Sequence, residues 1–332
     1  MENKNSIIIN KKKLLDSQYN KNGLIEGLLS GFTFALNGLF ISLALDKVSV
    51  ENIITLSLVG ACLNDVLAAV WLILYNVIKG RGKEIYRSFR IFPGKVVCIG
   101  ALLGGPLAQS GYLIGMKYAG VSYAVAISAL YAAVGAILSR IFLKQKIEKR
   151  VALGIIISAI GGVVISYIPP VSIDNTYFYL GIFAASFAAF GWAAEGVIGA
   201  FGTAVIDPKI AITIREITSG IVFLLFIMPA VGGYTTMKDI FLDVSILKIF
   251  IIAALFAAIS FLMWYKANNS IGVAKGMALN STYVAWGIVL PVLFLNSSYN
   301  NNLFIGGILV LIGSVLVSIN PFEKFVRGEY NE

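Results

Sequence analysis

The chain has 332 residues, of which 58% are hydrophobic and only 13% are Asp, Glu, Lys or Arg, whereas a typical soluble protein has about 25% charged residues. Together with a mean hydropathy of +0.86, this composition excludes most soluble folds. The sequence has no His and only two Cys, both in apolar runs, which excludes imidazole metal sites, His-based nucleophile pairs and a disulfide framework, so we expect no metal and no cofactor.

Ten apolar runs follow one another along the chain, separated by charged or turn-rich segments. Each is long enough to cross a bilayer, because roughly 20 mostly apolar residues span its core as a helix. The pattern predicts an all-α integral membrane protein with ten transmembrane helices. The predicted spans, numbered 1 to 10, are 23–45, 53–78, 95–116, 121–143, 151–168, 177–201, 209–231, 247–267, 273–295 and 303–319.

Positive charge is concentrated on one side of these spans. With the N-terminus in the cytoplasm, nearly all of the 26 Lys and Arg fall on inner segments, as positive loops prefer. The exceptions are Lys47, Lys117, Lys238 and Lys248. We therefore expect a multi-pass protein of the cell membrane with both termini inside, as polar tails at 1–22, expected to be disordered, and 321–332. The net charge of +9 then faces anionic lipid, so the expected partner is membrane lipid and not nucleic acid.

An internal repeat relates 121–166 to 273–318 at an offset of 152 residues. The loop within the first copy is basic and the same loop in the second copy is neutral, as two copies in opposite orientations require. We therefore predict two inverted five-helix repeats, at 23–168 and 177–320, an arrangement frequent in secondary transporters. The spaced matches that carry the repeat are Tyr131 with Tyr283, Gly135 with Gly287, Gly154 with Gly306 and Gly161 with Gly313.

This organisation resembles the drug/metabolite transporter superfamily, and its EamA-like branch is the closest fit. Each half ends with a Gly-x6-Gly helix, and further matching features are Gly191-Trp192, Pro208 with Arg215, and Pro291. Many relatives have a Leu-Gly-Glu-like run after spans 4 and 9, whereas this chain has Leu143-Lys144-Gln145 and Leu295-Asn296-Ser297. The resemblance implies that spans 1–4 and 6–9 line a transport path, with spans 5 and 10 packed outside.

Four ionisable residues stand out within the predicted spans, because an ionisable group inside the membrane is costly and needs a reason. Glu195, with Trp192 on the same helical face, suits a cationic ligand or a coupling proton. Asp65 suits the same roles, and either carboxylate could instead be structural. The carboxylates are expected to be isolated on different helices. Arg215 can extend to the inner surface or act in a gate, and Glu216 beside it has a weaker case.

Uncharged polar residues complete the predicted pathway. Asn37 occupies in span 1 a position analogous to Glu195 in span 6. Span 3 contains Gly104-Gly105-Pro106, which predicts a kink or a partly unwound site. Any of these side chains could instead make only helix–helix contacts. The remaining candidates are Gln109, Tyr131, Tyr283 and Asn280.

The predicted function is secondary active transport of a small metabolite, such as an amino acid or amine, by alternating access. We expect efflux or exchange, with proton coupling through Glu195 or Asp65, by a monomer or homodimer. The chain lacks a phosphate-binding Gly-x4-Gly-Lys-Ser/Thr loop and is not expected to be an enzyme. Two alternatives stay open: a carrier of anionic sugar or nucleotide compounds, using Arg215, Lys266 and Lys275, and a non-transporting membrane scaffold.

Overall fold

The computed structural model describes residues 4–48, 52–119, 124, 127, 128, 130–166, 177–295 and 301–318. Within these residues the fold is helical and contains no strand. The α-helices are α1 Lys4–Leu45, α2 Ile53–Ile78, α3 Gly82–Arg90, α4 Phe92–Leu102, α5 Ala108–Ala119, α6 Tyr131–Phe142, α7 Lys149–Ser166, α8 Phe178–Thr203, α9 Pro208–Val222, α10 Met228–Ala230, α11 Tyr234–Leu242, α12 Val244–Ile271, α13 Val273–Asn280, α14 Tyr283–Leu295 and α15 Asn301–Ser318.

Six described segments are long and apolar enough to cross a membrane, and they coincide with predicted spans 1, 2, 3, 6, 7 and 8. Predicted spans 4, 5, 9 and 10 correspond to the shorter helices α6, α7, α13 with α14, and α15, and much of the first part of span 4 lies outside the described residues. The six segments are Gln18–Leu45, Ile54–Ile78, Phe92–Gly115, Phe178–Thr203, Pro208–Ala230 and Val244–Ile271.

Several of the polar segments that separate the predicted spans contain the N-cap residue of the following helix. The side chain of Asn52 accepts hydrogen bonds from the backbone N–H groups of Ile54 and Thr55 at the start of α2. Asp207 caps α9, in which Pro208 is the first residue, and Asp243 caps α12. Such side chains replace the hydrogen-bond partners that the first N–H groups of a helix lack.

The expectation of a disordered N-terminal tail is wrong, and two loops contain short helices. The N-terminal segment, expected to be disordered, is helical from Lys4 and continues into span 1 as one helix, because extending a formed helix avoids the cost of nucleation. The loops after spans 2 and 7 contain the short helices α3 and α11. In α3, Ile85 is buried while the neighbouring polar residues face outward.

The predicted distortion of span 3 is present. A π-helical segment at Leu103–Leu107 separates α4 from α5, and Gly104, Gly105 and Pro106 in it are buried. Pro106 has no N–H to donate, and π-bulges are one recognised cause of bends within helices. A second π-helical segment, Phe223–Ile227, separates α9 from α10.

Helix packing follows the sequence repeat. The helix α1 packs against α12 as α8 packs against α5, and α2 and α9 pack together, as do α7 and α15. In terms of the predicted spans, the pairs are 1 with 8, 6 with 3, 2 with 7 and 5 with 10. If each span is replaced by its counterpart in the other half, so that span 1 becomes span 6 and span 3 becomes span 8, the same four pairs result. This is what a pseudo-two-fold relation between the repeats requires.

The interface between α7 and α15 repeats this symmetry at residue level. A Cβ on Gly154 would lie 2.6 Å from the carbonyl oxygen of Gly313, and one on Gly161 would lie 2.7 Å from that of Gly306. The repeat offset of 152 relates Gly154 to Gly306 and Gly161 to Gly313, so these two contacts are counterparts of each other. The Ser158 hydroxyl donates to the carbonyl oxygen of Val310, its own counterpart, at 3.4 Å. The four glycines therefore allow the helices to approach closely around a local two-fold axis.

Candidate functional site

Arg215 lies at the centre of a cluster of buried charges formed by α2, α8 and α9. Its Nε and Nη2 donate to Oε1 and Oε2 of Glu195 at 2.5 and 3.0 Å. Its Nη1 donates to Oε1 of Glu216 at 2.7 Å and lies 3.5 Å from Oδ2 of Asp65. We call Asp65, Glu195, Arg215 and Glu216 the charged cluster. The expectation of isolated carboxylates is wrong, because three helices bring them to one guanidinium.

The charged cluster is almost completely removed from the protein surface. The exposed fractions are 7% for Asp65, 1% for Glu195, 5% for Arg215 and 0% for Glu216. Arg215 therefore does not extend to the inner surface, which was one prediction for it. Charges buried this deeply lose their hydration and remain only if they are paired and hydrogen-bonded. The pairing with Glu195 uses two parallel N–H donors, the geometry in which a guanidinium binds a carboxylate best.

Uncharged polar groups surround the charged cluster and extend it to α1. The Ser219 hydroxyl donates to Oδ2 of Asp65 at 2.5 Å, and Nδ2 of Asn64 lies 3.4 Å from Oδ1. Asn37 donates to Oδ1 of Asn64 at 2.7 Å and to the carbonyl oxygen of Ala253 at 2.9 Å. The hydrogen bonds thus link Asn37 to the charged cluster through Asn64.

The π-helical segment makes room for the charges. A Cβ on Gly104 would overlap the Glu195 carboxylate, and a Cβ on Gly105 would overlap the Ser219 hydroxyl. The indole N–H of Trp192 donates to the carbonyl oxygen of Gly104 at 2.9 Å. Glycine is needed at both positions, because any side chain would displace a group of the site.

Aromatic rings cover the charged cluster. The Arg215 guanidinium carbon lies 5.4 Å from the centre of the Phe261 ring, within the usual range of a cation–π contact. The Tyr265 hydroxyl lies 3.5 Å from Oε1 of Glu195. The Trp192 ring lies between those of Tyr112 and Tyr131, at centroid distances of 5.4 and 6.4 Å. Phe261 and Tyr265 thus place aromatic rings beside Arg215 and Glu195.

A second buried polar group contains no charge. The Tyr131 hydroxyl donates to Oδ1 of Asn280 at 2.6 Å, and Nδ2 of Asn280 donates to the Ser30 hydroxyl at 3.0 Å. Tyr283 hydrogen-bonds with Ser128. We call these five residues the uncharged network. An offset of 152 exchanges the Tyr131–Asn280 and Ser128–Tyr283 pairs, so these bonds also follow the repeat.

The predicted pathway residues therefore fall into three places. Asp65, Glu195, Arg215 and Asn37 belong to the charged cluster and its extension, with Trp192 beside it. Tyr131, Tyr283 and Asn280 belong to the uncharged network. Gln109 is half-buried just beyond the π-helical segment and takes part in neither group.

Three contributors to the site were missed by the sequence reasoning, namely Asn64, Ser219 and Tyr265. Ser219 lies four residues after Arg215 and therefore on the same face of α9, which is a signal that could have identified it. Asn64 is adjacent to Asp65 in the sequence. Tyr265 has no such local signal, because only the packing of α12 brings it to Glu195.

One end of the bundle has a more exposed set of contacts. Nζ of Lys275 lies 2.9 Å from Oε1 of Glu148, and Oε1 of Gln145 accepts a hydrogen bond from the backbone N–H of Val273 at 3.1 Å. Lys266 pairs with Glu26. The Lys275 ammonium, and then Arg150, hold the pKa of the Glu148 carboxyl below its usual range. A cavity of about 240 Å³ lies at this end, between Gln145, Glu148 and the joint between α12 and α13.

Lys144 has a positive φ of 53°, in the left-handed region that favours glycine. It occupies the position at which the Leu-Gly-Glu-like run of many relatives has Gly. Gln145, at the position of the Glu, contacts the start of α13. Although Lys144 replaces the Gly of that run, the backbone at this position still has a conformation that favours glycine.

Among the residues that the structure describes, no group of three or more Asp, Glu, Cys or His side chains is arranged to hold a metal ion. The three carboxylates of the charged cluster face a guanidinium instead. Buried acids and an arginine among apolar helices are the type of site found in membrane transport proteins. The geometry thus defines a polytopic helical membrane protein with a charged centre.

The chain belongs to the EamA-like transporter family, whose sequence profile matches residues 21–167 and 179–319. The two matches coincide with the two halves of the internal repeat. Among curated proteins, the chain is similar to Protein LicB of Haemophilus influenzae, with 27% identity over 282 residues that cover 82% of this chain and 88% of that protein. A solved crystal structure shares the fold, with a TM-score of 0.65 at 16% identity, covering 90% of this chain and 97% of that one.

Proposed function

We propose that this membrane transporter carries a small metabolite, an amino acid, an amine or a related compound, by alternating access of two inverted five-helix halves. Its family makes it a transporter. The observation that carries the substrate class is the charged cluster, in which three carboxylates face one guanidinium. A site with this excess of acids attracts a cationic or zwitterionic substrate.

The cations that would serve an anionic substrate are already paired. Arg215 contacts Glu195, Glu216 and Asp65, while Lys266 contacts Glu26 and Lys275 contacts Glu148. An anionic sugar or nucleotide would have to displace one of these carboxylates. The pairing therefore favours an amino acid or amine over the anionic alternative.

The ten-helix topology with both termini in the cytoplasm is part of this proposal. It is supported by the residue contacts that the repeat offset exchanges, Gly154–Gly313 with Gly161–Gly306, and by the concentration of Lys and Arg on inner loops. In this scheme Arg215 is the internal counter-ion that occupies Glu195 and Asp65 when no substrate is bound. Efflux or exchange would be driven by the proton gradient through an acid of the charged cluster.

The first experiment identifies the substrate. The purified full chain is heated in the presence of amino acids, amines, sugar phosphates and nucleotide sugars in turn, because a ligand of the native state raises the unfolding temperature. A shift with an amine or amino acid supports the proposal. A shift confined to the anionic compounds would overturn the substrate class.

The second experiment measures transport of that ligand by proteoliposomes with and without a proton gradient. We expect Glu195→Gln and Asp65→Asn to abolish or strongly reduce coupled transport, because each removes a negative charge that faces Arg215. Glu84→Gln, on the exposed helix α3, is the control and should transport as wild type. Unchanged coupled transport in both cluster variants would remove these acids from the mechanism.

A non-transporting scaffold is the second candidate, because Asp65 and Glu195 are already satisfied by tight interhelical partners. Cysteine labelling separates the two functions. With Cys62 and Cys98 replaced by Ala, an Ala194→Cys variant, next to Glu195 and buried, should react with a water-soluble maleimide in a transporter that opens. A scaffold would leave this position unreactive under every condition.

A further inference from the structure

Among the three carboxylates of the charged cluster, Glu216 accepts the fewest hydrogen bonds. Glu195 accepts two from Arg215, with the Tyr265 hydroxyl 3.5 Å away. Asp65 accepts a short bond from Ser219 and a longer one from Asn64. Glu216 accepts a single bond, from Nη1 of Arg215 to Oε1. Its other oxygen, Oε2, is buried and has no hydrogen-bond partner among the described residues.

The charge balance of the charged cluster leaves negative charge uncompensated. If all three acids were ionised, one guanidinium would leave an excess of two negative charges in a region that the helices α2, α8 and α9 remove from water. The helix α12 contributes the Tyr265 phenol, 3.5 Å from Glu195, and the uncharged Phe261 ring beside Arg215. Charged side chains of the other packed helices, α3 and α4, are at the surface, namely Lys83, Glu84, Arg87, Arg90 and Lys95.

A buried carboxylate with one unpaired oxygen is costly as an anion and much less costly as a neutral acid. Both oxygens of Glu195 and both oxygens of Asp65 accept a hydrogen bond. Glu216 can take a proton on Oε2 while Oε1 still accepts the bond from Arg215. Adding one proton there removes a negative charge without breaking a contact of the structure.

We propose that Glu216 carries a proton on Oε2 in this conformation, and that Glu216, and not Glu195 or Asp65, is the coupling acid of the transporter. The role in coupling rests on the function proposed above. The protonation itself does not, because it concerns the resting protein without substrate. In a transport cycle, transfer of this proton to water when the site opens would leave a carboxylate that competes with Glu195 for the Arg215 guanidinium and so loosens the contact between α8 and α9.

Infrared spectroscopy of the purified full chain at neutral pH tests the protonation. Subtracting the spectrum of Glu216→Gln from that of wild type should leave the C=O stretching band of a carboxylic acid, displaced to lower frequency in D₂O. The same subtraction with Glu195→Gln or Asp65→Asn should leave carboxylate bands instead. Glu84→Gln, an exposed acid paired with Arg81, supplies the reference carboxylate spectrum.

Carboxylate bands in the Glu216→Gln difference would overturn the proposal. So would an acid band in the difference for Glu195→Gln or Asp65→Asn, which keeps the test decisive even if Glu216→Gln fails to fold. Gln has the shape of the neutral acid, so we also expect Glu216→Gln to retain the unfolding temperature of wild type at neutral pH. These spectra require neither a substrate nor a proton gradient. They can therefore refute the protonation of Glu216 while leaving the proposed transport function untouched.

Discussion

The charged cluster and the uncharged network differ in how they relate to the two repeats. The uncharged network obeys the repeat, because its Tyr131–Asn280 and Ser128–Tyr283 pairs exchange at an offset of 152. The charged cluster does not, since Glu195, Arg215 and Glu216 all come from the second half and only Asp65 comes from the first. Asn37, the first-half residue that is linked to the cluster through Asn64, is an amide. The repeated contacts therefore build the frame, and three of the four charged residues belong to the second half.

The largest expected effect comes from removing Arg215, the cation of the charged cluster, which has no equivalent in the uncharged network. Arg215→Ala leaves three buried acids without their counter-ion, and breaking a buried pair in this way costs about 3–5 kcal/mol. Thermal unfolding of the purified protein, followed by tryptophan fluorescence, would measure the loss. Arg81→Ala, which breaks the more exposed pairs with Glu84 and Asp207, is the control and should cost about 1 kcal/mol or less. Equal losses in the two variants would contradict the special status of the cluster.

The second effect concerns the glycine that gives the charged cluster its space. Gly104→Ala places a methyl group on the Glu195 carboxylate, and such overpacking costs about 1–3 kcal/mol. We also expect transport to fall, because Glu195 would move relative to Arg215. Thermal unfolding and the proteoliposome assay check both results.

Two glycines serve as controls for that variant. A Cβ on Gly38 or on Gly287 meets no atom within 4 Å, so Gly38→Ala and Gly287→Ala should be neutral or stabilise the helix by about 0.5–1 kcal/mol. If Gly104→Ala behaves like these two, then the π-helical segment is not what accommodates the carboxylate.

A smaller effect tests the symmetry of the uncharged network. Tyr131→Phe and Tyr283→Phe each remove one hydroxyl from a repeat-related pair, and hydrogen bonds between membrane helices contribute about 0.6 kcal/mol on average. We expect similar decreases in the unfolding temperature for the two variants. If the decrease in unfolding temperature were several times larger in one variant, the two halves of the uncharged network would not be equivalent, and the network would resemble the charged cluster in this respect.

The smallest effect is at the exposed end of the bundle. Lys275→Ala should cost about 0.5 kcal/mol or less, since Glu148 is well exposed and such pairs are screened by solvent. Because Lys275 lowers the folded pKa of Glu148, the contribution is present above the unfolded carboxyl value of about 4.3. It is lost as the pH falls through the lower folded value. The unfolding temperatures of wild type and variant should therefore converge in acid, and a gap that widens there would contradict the pairing.

Much of the fold was predictable from local sequence. Apolar runs long enough to cross the bilayer predicted the long helices, and Gly104-Gly105-Pro106 predicted the distortion of span 3, because a proline and two glycines weaken a helix wherever they occur. Membrane lipid allows few alternatives to helix for such runs. The helical tail from Lys4 was not predicted, since its polar residues have no periodic apolar signal.

The site was only partly predictable. The ionisable residues of the site were easy to recognise, because a chain with 13% charged residues has few of them inside apolar runs. Their arrangement was not recognisable. Asp65 and Glu195 are far apart in sequence, and their common contact with Arg215 depends on how α2, α8 and α9 cross.

The sequence by itself determined that this protein is a helical membrane protein built from two related halves, because hydropathy and a repeat are properties of segments read one at a time. The tertiary structure decided what the buried charges do. Only packing brings Glu195, Asp65 and Glu216 to one guanidinium and leaves one oxygen of Glu216 without a donor. The physical reason is that the cost of a buried charge depends on the groups within a few ångströms of it, and these come from helices distant in the chain.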